Sequence, residues 1–456
     1  MITQHKNKGK QLISKTVSKI LQSSIAVALL VSLNGCNSSD DTATIPTSPV
    51  MANDYNAFKA GVINANTLKN YIDDWQANKP EGTKGRLVIL QAGPTSQGKF
   101  IKQDEANGVY VYQIPAAGAC DPSYLRHDGV ANIPGALLSG PYVDYMINMF
   151  GLNPEEDYVL FAMGEGSVGI REIIRSWWVL VYWGWDDSRL AFLNGSVTYD
   201  FSDSSGLSDY LGTTTSTPPA TPTSYSMKSL QTDRTDLQVY IEYMMDLAQK
   251  DDKSGYFLAD ARGSDEYNGV VKSKTLDKNC GPAHNEQCYS PFQGHIKDAI
   301  DFPYTDLFIM DDQTEDINGD GQVDAADASY KLKSPIELQT LYAQKGYKEG
   351  DKVVAYCRTG RKATLLAITS YAVLKYPFTM YDGSWIQWGE MANRFDVNGT
   401  EIMPSDSRWL TDDSKYSVNL GYTDPLYTQS AAMYDINNSA LHSDKIVLED
   451  KAYLGL

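Results

Sequence analysis

A cysteine followed closely by three cations is the feature of this sequence best suited to chemistry. The stretch consists of Cys357, Arg358, Thr359, Gly360, Arg361, Lys362 and Ala363. Positive charge beside a thiol favours the thiolate, which is the nucleophilic form of cysteine, and it also attracts anions. We therefore predict that Cys357 is an activated nucleophile within an anion-binding loop, rather than a small apolar residue that ends a strand.

The elements on either side of this stretch are predicted to position it. Residues 353–356 form an apolar run typical of a buried strand, and residues 364–374 predict an amphipathic helix. A loop from the end of a strand to the start of a helix directs several backbone N–H groups at one point. The stretch 357–363 is such a loop, and it would stabilise a thiolate or a bound anion.

The chain contains an internal repeat. The corresponding segments are 157–166 with 351–360, 193–196 with 381–384, and 88–93 with 257–262. In each half, short apolar strands alternate with longer helical stretches, which is typical of an α/β domain with a parallel sheet. The predicted domain limits are 56–202 and 229–394, with a Ser/Thr/Pro linker at 203–228 and an irregular tail at 395–456.

The loop around Cys357 resembles the active-site loop of rhodaneses, thiosulfate sulfurtransferases that form a persulfide intermediate. Further motifs stand around it in the order typical of that family: Asp260-Ala-Arg262 with Glu266-Tyr267, Gly294-His295-Ile296, and Tyr381-Asp382-Gly383-Ser384-Trp385. Residues 60–200 resemble, less closely, the non-catalytic domain of two-domain rhodaneses. The resemblance covers most of the chain. It implies an α/β fold of two tandem rhodanese-like domains, each a parallel β-sheet flanked by helices.

The resemblance also implies a mechanism of two steps. The Cys357 thiolate would attack the outer sulfur of thiosulfate, sulfite would leave, and the persulfide would pass its sulfur to cyanide or a thiol. The cations and backbone amides of residues 358–363 would bind the donor, without an organic cofactor. Supporting roles are implied for Asp260 and Arg262, for Asp382 and Ser384, and for His295, which buttresses the fold or acts as a general base.

The first half departs from the pattern at the positions that carry the chemistry. Met163 stands where the second half has Cys357, and Gly164, Glu165 and Ser167 replace the residues that follow it. A thioether cannot form a persulfide. We therefore expect the first half to be catalytically inactive and to cover one wall of the active site.

The sequence leaves the sulfur donor open. The cationic loop favours thiosulfate over mercaptopyruvate, but thiosulfate enzymes of two domains often carry an arginine where this chain has Glu266. A phosphatase would require Cys-x5-Arg, and position 363 is alanine. The alternative to an enzyme is a non-catalytic rhodanese-like envelope protein with a binding or assembly role beside surface redox proteins.

An acidic segment in the second half predicts a calcium site. It resembles EF-hand and dockerin loops, with oxygen ligands at Asp316, Asn318, Asp320, Gln322, Asp324 and Asp327. Gly321 stands at the sixth position, where such loops turn sharply. We expect structural Ca²⁺ that clamps an insertion, although an acidic turn without a ligand fits the same pattern. Dockerins have two such loops, so a cohesin-like partner is not expected.

The beginning of the chain predicts export to the cell envelope. Residues 1–35 combine a basic stretch with a short apolar run, which is typical of a signal peptide. The residues before Cys36 resemble a lipobox, so we expect a lipid anchor at Cys36, a flexible tether at 36–55 and attachment to the outer membrane. Ordinary secretion is the alternative. The formal net charge of −18 does not favour nucleic acid as a partner.

The remaining cysteines allow more than one state. Cys280 and Cys288 are separated by seven residues that include turn formers, and an oxidising compartment would permit a disulfide between them. They could instead act as resolving thiols for a persulfide. The sequence leaves the state of Cys120 open.

Overall fold

The computed structural model describes the chain from residue 52 onward, with gaps. The described residues are 52–114, 124–130, 132–133, 135–270, 293–309, 323, 329–392, 407–412 and 443–456. Several predictions therefore lie outside the described residues: the signal peptide, the Cys36 lipid anchor, the calcium loop, and the states of Cys120, Cys280 and Cys288.

The first half is built on a sheet of five parallel strands. Its strands are β1 (Gly61–Ile63), β2 (Leu87–Ala92), β3 (Val109–Ile114), β4 (Tyr158–Met163) and β5 (Leu190–Ser196). Their order in the sheet is β1-β5-β4-β2-β3. The central strand β4 is buried along its whole length, as expected for a parallel sheet covered on both faces.

The second half repeats this arrangement. Its strands are β6 (Gln238–Val239), β7 (Tyr256–Asp260), β8 (Ile300–Asp301), β9 (Lys352–Tyr356) and β10 (Phe378–Tyr381). They are parallel, in the order β6-β10-β9-β7-β8, which is the order of their counterparts in the first half. The predicted α/β fold with two parallel sheets is confirmed.

Helices cover the faces of both sheets. The longer ones are α1 (Ala65–Asp73), α2 (Gly140–Met149), α3 (Gly166–Tyr182), α4 (Ile241–Gln249), α5 (Pro335–Gln344), α6 (Ala363–Ala367), α7 (Ser384–Met391) and α8 (Lys445–Leu454). Single helical turns lie at Trp75–Asn78, Val197–Asp200 and Ser264–Tyr267. Over the described ranges, no helix has the length and apolar character needed to cross a membrane.

Three short antiparallel pairs lie outside the two sheets. They join Phe100–Ile101 to Leu211–Gly212, Arg126–His127 to Asn132–Ile133, and His295–Ile296 to Thr411–Asp412. The last pair brings a segment from near the C-terminus beside the motif that contains His295.

The helix that follows the cysteine loop differs from the prediction. It begins as α6 and continues as a π-helical turn over Ile368–Val373. Between residues 363 and 374, Tyr371 is the one residue that is not buried, so the predicted amphipathic character is wrong. The reason is that this helix packs between β9 and β10 on one side and α3 of the first half on the other. A helix enclosed in this way needs no polar face.

One apolar core extends through both halves. Trp178 on α3 makes edge-to-face contacts with Phe378 on β10 and with Tyr371, at 5.3 and 5.8 Å between ring centres. The same cluster of buried residues includes Phe161 from the first sheet and Val353 from the second. The two halves therefore stabilise each other directly.

The connection between the halves is packed against the first one. Ser216 is buried, accepts the N–H of Val111 on β3 at 3.2 Å and donates to Gln103 at 2.6 Å. Thr223 donates to Asn148 on α2 at 2.7 Å. Polar residues of segment 203–228 are thus used for hydrogen bonds to the domain they follow.

The C-terminal region is more regular than predicted. In place of an irregular tail at 395–456, its last residues form helix α8, and Thr411–Asp412 forms a strand. Helix α8 buries Ile446, Asp450 and Leu454. Because one of these three is an ionisable residue, the apolar periodicity that would reveal the helix in the sequence is weak.

Candidate active site

Cys357 lies directly after β9, where the strand ends and the loop begins. Its side chain is 1% exposed, and it is a free thiol. Its N–H donates to the Ser384 Oγ at 3.4 Å, and its carbonyl accepts the N–H of Trp385 at 2.8 Å. The first turn of α7 therefore holds the cysteine backbone from the side opposite α6.

The turn that precedes α7 fixes this contact. The Ser384 Oγ donates to the carbonyl of Tyr381 at 3.0 Å, and the N–H of Ile386 donates to the carbonyl of Arg358 at 3.0 Å. Ser384 has φ of 52°, a left-handed conformation that is unfavourable for a residue with a side chain. Strain of this kind persists where surrounding contacts determine the conformation, and here those contacts include the backbone of the cysteine loop.

Asp260 and Arg262 form a fully buried ion pair, with 2.6 Å between their nearest atoms. Arg262 also donates to Gln293 at 2.8 Å and to the carbonyl of Gly294, and its guanidinium lies 4.3 Å from the ring centre of Trp385. Burial alone would lower the pKa of Arg262, but Asp260 outweighs burial and holds that pKa above its ordinary value. The pair lies against the first turn of α7 and so supports the residue that bonds to Cys357.

His295 is enclosed by protein on both sides of its ring. It stacks on Tyr267 at 3.7 Å between ring centres, and its Nδ1 lies 3.0 Å from the carbonyl of Tyr267. Its Nε2 lies 3.8 Å from the carboxylate of Asp412 in the C-terminal strand. With both ring nitrogens facing other residues and 4% of the residue exposed, the geometry favours a buttress over a general base.

The predicted anion-binding cations Arg361 and Lys362 lie beside other side chains of the protein. The Arg361 guanidinium lies 5.0 Å from the ring centre of Tyr124, which belongs to the first half. Lys362 lies 3.4 Å from the carboxylate of Glu266 and 5.3 Å from the ring centre of Tyr304. Arg358 is partly buried, while Thr359 and Ala363 are buried.

Gly360 shows how closely the first half approaches the loop. Its φ of 76° favours glycine, and a Cβ placed on it would lie 3.0 Å from Arg175 and 3.1 Å from Asp382. Arg175 comes from α3, is fully buried, and donates to Asp382 at 2.5 Å and to the carbonyl of Gly135 at 2.8 Å. The wall of the loop is therefore an ion pair shared between the halves.

Sequence reasoning missed Arg175 and Tyr124 as residues of this site. Arg175 carried a signal, because it is the charged residue within the largely apolar stretch 173–183. An arginine in such a stretch is rarely buried without a carboxylate partner. Tyr124 carried no signal, since its position beside Arg361 depends on how the halves pack.

The two halves exchange a matching contact near the carboxyl ends of β10 and β5. The N–H of Leu137 donates to the carboxylate of Asp382 at 2.8 Å, and the N–H of Leu332 donates to the amide oxygen of Asn194 at 2.8 Å. Each leucine lies just before the helix, α2 or α5, that flanks its own sheet. The first half keeps the neutral Asn194 at this position, whereas the second half has a carboxylate that pairs with Arg175.

The position of the first half that matches Cys357 has no room for a comparable loop. Met163 is buried, and a Cβ on the next residue, Gly164, would collide with the carbonyl oxygens of Gly93 and Pro94. The N–H of Thr198 donates to the carbonyl of Gly164 at 2.9 Å, as Ile386 does to Arg358 in the second half. The first half thus keeps this backbone hydrogen bond, but carbonyl oxygens lie where the second half has cations. Carbonyl oxygens are unfavourable neighbours for a thiolate or a bound anion.

Comparison with known proteins identifies the domain that carries the loop. Residues 244–391 match the family of rhodanese-like domains. Two relatives carry the name "Putative thiosulfate sulfurtransferase". The protein from Haloferax volcanii is 27% identical over 247 residues, which is 54% of this chain and 70% of that protein. The protein from Mycolicibacterium smegmatis is 30% identical over 135 residues, which is 29% of this chain and 39% of that protein.

A solved structure agrees with the fold over most of the chain. The Tum1 protein from Saccharomyces cerevisiae is similar over 77% of this chain and 98% of its own, with a TM-score of 0.50 and 14% identity. At this identity the likeness shows the fold alone. Residues 244–391 are thus similar to rhodanese-like domains, and the two relatives are named as putative sulfurtransferases.

Proposed function

We propose that this protein is a sulfurtransferase that carries sulfane sulfur as a persulfide on Cys357. The observation that carries the proposal is the enclosure of a free thiol between the end of β9, the first turn of α7 and a cationic loop. A thiol held in this way can attack a sulfane sulfur, and the loop can stabilise the anion that results. The rhodanese-like match over residues 244–391 supports the same chemistry.

The reaction divides into two transfers. In the first, the Cys357 thiolate attacks the outer sulfur of thiosulfate or a related donor, the S–S bond of the donor breaks, and sulfite leaves with the electron pair. In the second, cyanide or a thiol attacks the outer sulfur of the Cys357 persulfide and the thiolate returns. Arg358 and the backbone amides of residues 359–363 would bind the charged groups of the donor.

The intact mass of the protein tests this proposal directly. After incubation with thiosulfate, the protein should gain the mass of one sulfur atom, and cyanide should remove it as thiocyanate. The variant Cys357→Ser should show no gain, because serine forms no persulfide. If the wild-type thiol is shown to be free and gains no sulfur from thiosulfate, mercaptopyruvate or a polysulfide, the proposal is wrong.

The alternative is a non-catalytic rhodanese-like envelope protein with a binding or assembly role. The contacts that Arg361 and Lys362 already make within the chain support this alternative. A cellular phenotype that survives Cys357→Ser would favour it, since binding does not require the thiol.

We also propose a lipid anchor at Cys36, an outer-membrane location and structural Ca²⁺ in loop 316–327. The sequence patterns described above support them. Incorporation of a labelled fatty acid that is lost in Cys36→Ala tests the anchor. Equilibrium dialysis with Ca²⁺, compared between the wild type and Asp316→Ala, tests the ion, and equal Ca²⁺ binding by the two would contradict it.

A further inference from the structure

Glu266 and Lys362 place opposite charges side by side at the edge of the cysteine loop. Their nearest atoms lie 3.4 Å apart, and their side chains are 24% and 21% exposed, respectively. Arg361 in the same loop is 5% exposed and lies against Tyr124. The pair is therefore a solvent-accessible, charged part of a loop that is otherwise largely buried.

Both charges are held by rigid elements. Glu266 lies in the helical turn Ser264–Tyr267 after β7, where its carboxylate accepts the N–H of Gly263 at 3.4 Å and its carbonyl accepts the N–H of Gly294 at 3.1 Å. Lys362 lies at the start of α6, directly after β9 and its loop. Because β7 and β9 are neighbours in the sheet, the two residues come from adjacent carboxyl ends of strands.

Glu266 is ionised at neutral pH. Burial tends to raise its pKa, but Lys362, Arg262 and the N–H of Gly263 outweigh burial and lower the pKa below the ordinary value. A dianion such as thiosulfate that approaches Lys362 therefore also meets a fixed negative charge. Repulsion between like charges at this distance disfavours the binding of such a ligand.

A ligand that carries both charges fits the pair better. The distance of 3.4 Å exceeds the about 2.7–2.9 Å of a strong charge-assisted hydrogen bond, so each group retains capacity for another partner. We propose that Glu266 and Lys362 bind the zwitterionic head group of cysteine, with the ammonium on Glu266 and the carboxylate on Lys362. This inference rests on the proposed function, because it assigns a substrate class to the same loop.

The transfer that follows from this binding is balanced without a further reactant. The cysteine thiolate attacks the outer sulfur of the Cys357 persulfide and forms the S–S bond of cysteine persulfide. The bond between the Cys357 Sγ and the outer sulfur breaks, and its electron pair returns to Cys357 as the thiolate. In the reverse direction, cysteine persulfide is the donor and Cys357 takes up the sulfur.

Binding of unreactive analogues tests the recognition apart from catalysis. We would titrate the full-length protein with S-methylcysteine, with 3-(methylthio)propionate, which lacks the ammonium, and with 2-(methylthio)ethylamine, which lacks the carboxylate. S-methylcysteine should bind the tightest of the three. Glu266→Gln should weaken its binding about tenfold, the effect expected for one hydrogen bond to a charged group.

Two further variants make the test specific. Lys362→Gln should weaken the binding of S-methylcysteine and 3-(methylthio)propionate but not that of the amine. Asp73→Asn makes the same change of charge in an exposed ion pair on α1 and should alter none of the affinities. Equal affinity for the three analogues, or an unchanged affinity in a folded Glu266→Gln variant, would overturn the inference.

Kinetics then separate the two directions of transfer and the two proposals. Glu266→Gln should raise KM about tenfold for cysteine as acceptor or for cysteine persulfide as donor, while KM for thiosulfate falls. The role of cysteine follows from the two KM values of the wild type. A lower KM for cysteine identifies it as the acceptor, and a lower KM for cysteine persulfide identifies that compound as the donor. Selective binding of S-methylcysteine without any persulfide on Cys357 would refute the proposed function and leave the recognition intact. A persulfide on Cys357 without selective binding of S-methylcysteine would support the proposed function and refute the recognition by Glu266 and Lys362.

Discussion

Asp382 connects the cysteine loop to the first half of the molecule. Its carboxylate accepts hydrogen bonds from Arg175 and from the N–H of Leu137, and both residues belong to the first half. Gly360 in the loop packs against the pair so closely that a side chain would meet both charged groups. The loop therefore depends on a buried ion pair whose two members are 207 residues apart in sequence.

Removing Arg175 should destabilise the protein strongly. In Arg175→Ala the carboxylate of Asp382 would stay buried without its cation, and breaking a buried pair in this way costs about 3–5 kcal/mol. Arg171→Ala changes a partly exposed arginine one turn earlier on α3 and should cost within about 0.5 kcal/mol. Urea denaturation of the two variants measures the difference, and equal midpoints would contradict the assigned role.

The ion pair of Glu266 should give stability that depends on pH. The folded-state pKa of Glu266 lies below its ordinary value of 4.5, so its contribution is fully present above about pH 4.5 and is lost as pH falls through the folded-state pKa. The difference in unfolding free energy between the wild type and Glu266→Gln should thus be constant near neutral pH and shrink below about pH 4.5. A difference that grows on acidification would contradict the lowered pKa of Glu266.

Among the elements, α8 contacts residues of both halves of the molecule. Asp450 forms two hydrogen bonds to Arg126 at 2.7 and 3.0 Å, and it accepts the Tyr182 hydroxyl at 2.7 Å. Ile446 packs in a small apolar cluster with Ile133 and with Tyr240 of the second half. Burial raises the pKa of Asp450 despite the nearby Arg126, which shows how completely the helix covers this carboxylate. The helix thus contacts both halves of the molecule.

Adjacent residues of α8 provide a matched test of this role. Asp450→Ala should cost about 3–5 kcal/mol because it removes the buried carboxylate that pairs with the buried Arg126. Glu449→Ala removes an acid that is 49% exposed, and its pairing with Arg126 at 3.3 Å should be worth within about 1 kcal/mol. Thermal unfolding of both variants measures the contrast. If Glu449→Ala is as damaging as Asp450→Ala, the helix is held by other contacts.

At the scale of the whole molecule, the halves share a core that neither can bury alone. Trp178, Phe378 and the helix after Cys357 meet in this core. A protein consisting of residues 229–456 would expose this surface and would lack Arg175 and Tyr124. We expect it to aggregate or to lose fixed side-chain packing, which near-UV circular dichroism and gel filtration would detect. A monomer with native near-UV bands would contradict the shared core.

The repeat and the location of the site follow from local features of the sequence. Short apolar runs predict the strands, and the cysteine with its three cations lies between a strand and a helix start. A parallel sheet brings the carboxyl ends of its strands to one edge, so the neighbouring positions of Asp260 and Cys357 could also be predicted. Residues 393–406 and 413–442, like the calcium loop, lie outside the described part of the chain, so there the sequence predictions stand alone.

Some contacts could not be predicted from the sequence and were decided by the tertiary structure, because they join residues that are distant in the chain. The helix at 363–373 has polar residues that suggested an exposed face, yet packing by α3 buries it, and Thr364, Thr369 and Ser370 bond to backbone carbonyls instead. The contact of Arg361 with Tyr124 and the pairing of Asp382 with Arg175 depend on how the two halves meet. The sequence determined that a cysteine lies in a cationic loop and which elements carry that loop. The packing of the halves determined which residues of the first half lie against it.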